Sequence, residues 1–324
     1  MSAVVSSWML KIWSFFLSLF YVFAGAVMPP STDDIIKPLN SYTVKLNVAL
    51  WADPQLSTYL FDRMPYFESA CQDLKNGKKI DALVIAGDIA ENGLLCEYEM
   101  VSKNIKNDKV KNYLMATGNH DVRMRIYDST VERFTGFSND LNEYAGSNLS
   151  MDKLNYKYKI NGYTFIVLGT DRTEFEEAWF SDEQLQWLDD SLKEANKSAK
   201  PVFVVCHQPL KDSHGLPDTW GSPVDKLGSV GAQSDELFEI MNKYKRVVFI
   251  SGHLHTSFGE YTYEKIGNIH SVNLPSLTIE NKDGDCDDRG IGFMMEVYSG
   301  KVVFRARNFA DGKYLPEYDI TIKY

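Results

Sequence analysis

Five short apolar runs in this sequence each end in side chains able to bind a metal ion or move a proton. Asp53-Pro54-Gln55 follows Trp51, Gly87-Asp88 follows Ala86, and Gly118-Asn119-His120-Asp121 follows Thr117. His207 follows Cys206, and Gly252-His253-Leu254-His255 follows Ser251. Singly, each is ordinary turn chemistry, because Asp, Asn and Gly favour turns for local reasons. Together they are not ordinary: four of the six histidines fall at these positions, leaving only His214 and His270 elsewhere. The set supplies carboxylate, carbonyl and imidazole donors without a thiolate, which suits divalent manganese, iron or zinc. Two such ions about 3.5–4 Å apart can activate an attacking oxygen and clamp phosphoryl oxygens. Phosphoester hydrolysis fits that chemistry best.

The elements that must position these residues follow from pattern. Val44 to Trp51, Ala82 to Ala86, Tyr113 to Ala116, Val202 to Cys206 and Val247 to Ile250 read as strands buried on both faces. Amphipathic stretches separate most of them. The clearest helix is Asp182 to Asn196, with Leu185, Leu188, Leu192 and Ala195 at helical spacing and a capping box expected between Ser181 and Gln184. Tyr156–Ile160 and Tyr163–Leu168 flank the hairpin signal Asn161-Gly162, and a closing hairpin is expected from Gly292 to Tyr298 and Val302 to Asn308. The predicted class is α/β, with two packed mixed sheets and helices outside them. Ligands in such open sheets bind beyond the carboxyl ends of the strands, where all five blocks lie.

In order and strand context the blocks resemble the calcineurin-like metallophosphoesterase superfamily, whose pattern runs D-x-H, GD, GNH(D/E), H, GHxH. The resemblance covers roughly Val44 to Asn308 and implies a four-layer α/β/β/α sandwich. It implies that Asp53, Asp88 and His255 hold one metal, and that Asp88, Asn119, His207 and His253 hold the other. It also implies hydrolysis by a metal-activated hydroxide, with His120 as the acid and Asp121 orienting it. One block departs from the pattern: Gln55 stands where most members have histidine. It either binds the first metal through its carbonyl or leaves that position to water. Arg123 and Arg125 follow the GNHD block and are candidates to meet a substrate phosphate, Arg123 above all. The segment from Pro209 to Ser234, with His214 and Trp220, is either part of a substrate wall or a plain surface loop.

The rest of the chain sets the context. Residues 1–30 carry an uncharged run from Ile12 to Met28, followed by Pro29-Pro30, and read as a signal peptide cleaved after Ala26 or as an uncleaved membrane tether through residues 12–28. Residues 31–43 read as a linker, and residues 44–324 as the folded domain. The expected location is therefore secreted or anchored outside the cytoplasm. The 44% hydrophobic and 24% charged composition is that of a globular protein. A net charge of -10 with no basic run argues against nucleic acid as partner and against a nuclease. A small phosphoester is the expected substrate, and a catalytically silent metal-binding protein on the same scaffold is the rival from another class. Among the four cysteines, Cys206 lies within a strand-like run, so at most Cys71 pairs with Cys96. Asn148-Leu149-Ser150 and Asn196-Lys197-Ser198 are glycosylation sequons.

Overall fold

Strand β1 (Leu46–Trp51) opens a chain that alternates short strands with helices in the computed structural model, which describes residues 43–220, 228–286 and 288–324. After β1 come α1 (Met64–Asn76), β2 (Ala82–Ala86), α2 (Leu95–Ile105), β3 (Tyr113–Ala116), the single turn α3 (Asn119–Val122) and α4 (Tyr127–Ala145). Next are β4 (Tyr156–Ile160), β5 (Tyr163–Val167), α5 (Asp182–Ala195), β6 (Val202–Val205), α6 (Ser234–Asn242) and β7 (Val247–Ser251). The remainder is β8 (Tyr263–Ile266), β9 (Ile269–Asn273), β10 (Ile291–Tyr298), β11 (Lys301–Asn308), β12 (Lys313–Tyr314) and β13 (Ile320–Lys323). Residues Val44–Tyr324 form one compact unit. No helix among the described residues is long and apolar enough to cross a membrane.

The strands make two mixed sheets. One runs β12-β11-β10-β1-β2-β3, with β13 also on β11; the other runs β4-β5-β6-β7-β9-β8. In the first, β1, β2 and β3 are parallel; in the second, β5, β6, β7 and β9 are parallel. Alternation sorts each strand between two layers. Phe203 and Val205 of β6 join one core with Val48 and Leu50 of β1, while Val202 and Val204 pack with Leu188 and Leu192 of α5 and Met241 of α6. This is the expected sandwich of two sheets with helices outside. The parallel register then aligns the carboxyl ends: Trp51 lies opposite Ile85, Ala86 opposite Ala116, and Val205 opposite Ile250.

Several local expectations need correction. β1 starts at Leu46 rather than Val44, and α5 ends at Ala195 with Asn196 as its cap. The capping box of α5 is only half formed. Ser181 Oγ accepts from Gln184 N (3.2 Å), but Gln184 Nε2 donates to Gly169 O (2.8 Å) and Asp171 Oδ2 (2.8 Å) instead of returning to the cap. The hairpin β8–β9, turning at Gly267-Asn268, was not anticipated, nor were β12 and β13. Cys71 and Cys96 do not pair: Cys71 faces the core from α1, Cys96 is exposed in the first turn of α2, and all four cysteines are free. The run 12–28, the site after Ala26 and all of the linker except Thr43 lie outside the described residues, as do residues 221–227 of the Pro209–Ser234 segment.

Burial pushes the Cys71 and Cys206 thiols up to about 12, so both are poor nucleophiles in the folded chain. Thiol titration with an aromatic disulfide is expected to find four free thiols after denaturation without reductant, with Cys96 reacting first in the native protein. A denatured count of two would restore the disulfide.

Candidate metal centre

The five blocks meet at one point between the two sheets. Parallel pairing lays the loop after β1 along the loop after β2: Asp53 N donates to Gly87 O (3.1 Å) and Gln55 N to Asp88 O (2.8 Å). In the second sheet Gly252 N donates to His207 O (2.8 Å), which sets the GHLH turn beside the end of β6. The two sheets are joined where His207 Nδ1 donates to Ala86 O (2.7 Å). That bond fixes the tautomer and turns Nε2 toward Asp88 Oδ2, 3.2 Å away. Glycine is required at this crossing: a Cβ on Gly87 would lie 2.5 Å from His207 Nδ1, and one on Gly118 would lie 2.1 Å from Asp88 Oδ1.

Asp53, Gln55, Asp88, Asn119, His207 and His253 are all buried, and His255 is partly exposed. Asp88, His207 and His253 each offer a ligand atom within 4.8 Å of the others. Asn119, also buried, lies between Gly118, where a Cβ would meet the Asp88 carboxylate, and His120, whose N donates to Asp88 Oδ1 (2.8 Å). For the first metal, Asp53 Oδ1 lies 3.1 Å from His255 Nε2, and Gln55 Nε2 donates to Asp88 Oδ2 (3.2 Å). Two buried carbonyl oxygens, Gln55 Oε1 and Asn119 Oδ1, have no hydrogen-bond partner among the described residues. Leaving such an oxygen unsatisfied costs about 1–3 kcal/mol. Orphaned carbonyls beside two carboxylates and three imidazoles are the donor set of a divalent cation, so the residues fit the metal ions that the sequence implies.

Backbone strain concentrates on the same side chains. Asp53, Gln55, Asp88, His253 and His255 all have left-handed φ, between 37° and 76°. Each such residue costs on the order of 1 kcal/mol or more and persists only where its surroundings fix it. Here Ser276 Oγ donates to Asp53 O (2.9 Å), His253 N donates to Asp53 Oδ2 (3.1 Å), and Lys282 N donates to His255 O (2.9 Å). Asn273, at the end of β9, ties the GHLH turn from below through Nδ2 to Gly252 O (2.6 Å).

Charge at the centre is set by burial against pairing. Burial opposes ionisation of Asp88, but His207 and His120 beside it hold its carboxyl well below the usual range. Burial likewise opposes charge on His207, and the Asp88 and Asp53 carboxylates overcome it, raising the imidazole to about 10. For His120, burial is again outweighed, here by Asp88 and Glu91, and its pKa is raised. His120 Nδ1 lies 2.9 Å from Glu91 O and 3.3 Å from Glu91 Oε1, two acceptors that place a proton on Nδ1. Nε2, 4.0 Å from Asp88 Oδ2, faces the ligand cluster.

Asp121 does not orient His120 as expected. Its carboxylate instead accepts from Gly118 N (2.9 Å), Ile89 N (3.2 Å), Ala90 N (3.1 Å) and Tyr98 OH (3.0 Å), pinning the GD loop to the GNHD loop. Glu91, itself paired with Arg63, takes the orienting role. Arg123, expected to meet substrate, has one arm on Glu176 Oε1 (3.1 Å), the other 2.8 Å from His120 Nδ1, and its plane over the Phe175 ring. Arg125 donates to Asn92 O (2.8 Å). Glu176, which sequence reasoning missed, also accepts from Asn119 Nδ2 (2.6 Å) and so turns Asn119 Oδ1 the other way. Of the Pro209–Ser234 segment, Trp220 stacks on His253, with ring centroids 4.5 Å apart, while His214 is a satisfied core residue bonded to Tyr261 O and Ser271 Oγ.

The sequence matches the calcineurin-like phosphoesterase family profile over residues 47–257, a span containing all five blocks. The chain belongs to the calcineurin-like phosphoesterase family. Its curated relatives include a 3′,5′-cyclic-nucleotide phosphodiesterase of Nostoc sp., 24% identical over 199 residues, which are 61% of this chain and 63% of that one. The chain thus spans under two thirds of that relative's length. Among solved structures, a dimetal phosphatase from Danio rerio superposes with a TM-score of 0.58 at 16% identity, covering 87% of this chain and 100% of the other. GAP50, the anchor in the inner membrane complex of Plasmodium, gives 0.57 at 15% identity, over 86% and 88%. These two likenesses are of fold.

Replacing Asp121 by Asn keeps one accepting oxygen but turns an NH2 toward the backbone N–H donors of the other, and is expected to lower stability by about 1–3 kcal/mol in urea unfolding. Loss of activity with unchanged stability would instead make Asp121 a participant in the reaction.

Proposed function

We propose that this chain hydrolyses an organic phosphoester at the centre between β1, β2, β3, β6 and β7, with two divalent ions of manganese, iron or zinc. The observation that carries the reading is the convergence of seven oxygen and nitrogen ligands, two of them orphaned carbonyls, from five strand ends. Asp53, His255 and Gln55 Oε1 would hold one ion with Asp88, and Asn119, His207 and His253 the other. When bound, the ions supply a nucleophile from water at neutral pH and neutralise phosphoryl charge. His120, kept protonated by Asp88 and Glu91, gives a proton from Nε2 to the departing ester oxygen. Glu91 holds the imidazole in place by accepting from Nδ1, and Glu176 holds Asn119.

Two features favour a substrate with an apolar or aromatic part. Trp220 lies against His253, and Tyr59, Phe61, Met124, Ile126 and Phe175 are exposed on loops that adjoin the ligand blocks. Those loops are linked: Asn92 Nδ2 donates to Tyr59 OH (3.3 Å), Arg125 to Asn92 O, and Thr173 Oγ1 to Arg125 O (3.0 Å). Such a rim suits a nucleotide diester, in keeping with the name of the Nostoc relative. The apolar run 12–28 supports a location outside the cytoplasm.

Likeness of fold to GAP50, together with Gln55 in place of histidine, favours a second reading in which the scaffold serves as a catalytically silent anchor. A panel of bis-p-nitrophenyl phosphate, p-nitrophenyl phosphate and cyclic nucleotides separates the two. Hydrolysis of a member of the panel by manganese-loaded protein is expected, falling about 10²–10⁴-fold in kcat for His120→Ala with metal content unchanged. No turnover of any substrate by protein shown to carry metal would favour the silent scaffold.

A further inference from the structure

The parallel strands also leave a charged feature at their opposite ends. His207 and His253 follow β6 and β7, whereas Pro201 and the pair Lys245-Arg246 precede them. Five residues of β7 separate the two ends by roughly 16 Å, at about 3.3 Å per residue. A cavity of about 160 Å³ lies at this far end, lined by Lys245, Arg246, Lys265, His270 and Lys323 and by no Asp or Glu side chain. It sits where β13 of one sheet meets β7, β8 and β9 of the other.

Among the described residues none of these lysines or the arginine forms an ion pair with Asp, Glu or the C-terminal carboxylate. In a chain with 44 acidic and 34 basic residues, unpaired cations gather here against the average. Arg246 is fixed in a left-handed backbone conformation (φ 61°), and its Nη2 donates to Ser198 O (3.0 Å). Its Nε is buried with no acceptor. Lys265 lies directly across the β8–β9 ladder from His270, whose Nδ1 is held by Tyr263 OH (2.8 Å). Burial and Lys265 keep His270 below its ordinary pKa and so neutral, while Lys245, Arg246, Lys265 and Lys323 line one cavity as like charges whose repulsion a bound anion relieves.

We propose that this cavity is an anion site that takes a phosphate group, with the guanidinium of Arg246, tied to Ser198 O, as its fixed donor and Lys245, Lys265 and Lys323 as mobile ones. The site is separate from the metal centre and does not depend on the proposed hydrolysis. The group reaches it either as free phosphate or at the end of a phospholipid headgroup, since both present the same tetrahedral oxyanion.

The test compares the full wild-type chain with Lys265→Ala/Lys323→Ala and Lys265→Arg/Lys323→Arg. Equilibrium dialysis with radiolabelled inorganic phosphate counts bound phosphate per chain; phosphate held at the metal centre is common to all three. Wild type is expected to bind one phosphate more than the double alanine variant, whose affinity at this site falls about tenfold or further, with the double arginine variant restored. Phosphoester hydrolysis is expected to be equal in all three. If the phosphate counts match, sedimentation with phosphatidylcholine vesicles containing phosphatidate decides: binding by wild type and by the double arginine but not the double alanine variant assigns the headgroup. Equal behaviour of wild type and double alanine variant toward both probes overturns the proposal.

Discussion

One hydrogen bond organises the rest of the molecule: His207 Nδ1 to Ala86 O, across the seam between the two sheets. It brings the carboxyl end of β6 against the end of β2, and it can form only because Gly87 has no Cβ to meet the imidazole. Once that crossing is made, Asp88 faces His207 and Asp53 faces His255, so ligands from both sheets share one small volume. The sheets therefore do more than share a core. Their packing sets the spacing of the metal centre, and the buried strands β1, β2, β3, β6 and β7 give the stiffness that holds it.

That arrangement is costly for the polypeptide. Five ligand residues sit in left-handed backbone conformations, and two ligand carbonyls are buried without partners. A protein selected for stability alone would not keep these features together, since each costs on the order of 1 kcal/mol or more. A network of supporting bonds offsets part of the cost. Asp121 secures two motif loops at once, Ser276 and Asn273 hold the loops after β1 and β7, and Glu176 sets the side chain of Asn119. Metal binding would supply the missing partners.

Much of this centre was legible in the sequence because each ligand block directly follows a short apolar run, and the parallel register converts strand ends into neighbours. Asp88 and His207 could be placed on that reasoning although 119 positions apart. The supporting residues could not. Glu176 lies in the loop between β5 and α5 with no motif around it, and its contact with Asn119 exists only in the folded chain. The family resemblance implied that Asp121 orients His120, yet the amides of Gly118, Ile89 and Ala90 converge on its carboxylate and claim it. Gln184 had the spacing of a capping box, but Gly169 and Asp171 offered its amide better partners. The β8–β9 hairpin carried a turn signal in Gly267-Asn268, while its half-exposed edge strand Tyr263–Ile266 lacks the apolar pattern that marks the buried strands.

The central claim is that the five strand ends hold metal. Anomalous scattering from crystals of the protein grown with manganese tests it most directly. Difference peaks are predicted among Asp53, Gln55, Asp88, Asn119, His207, His253 and His255, with Asp88 adjoining every one of them. Crystals that contain manganese elsewhere but show no peak among these side chains would contradict the account.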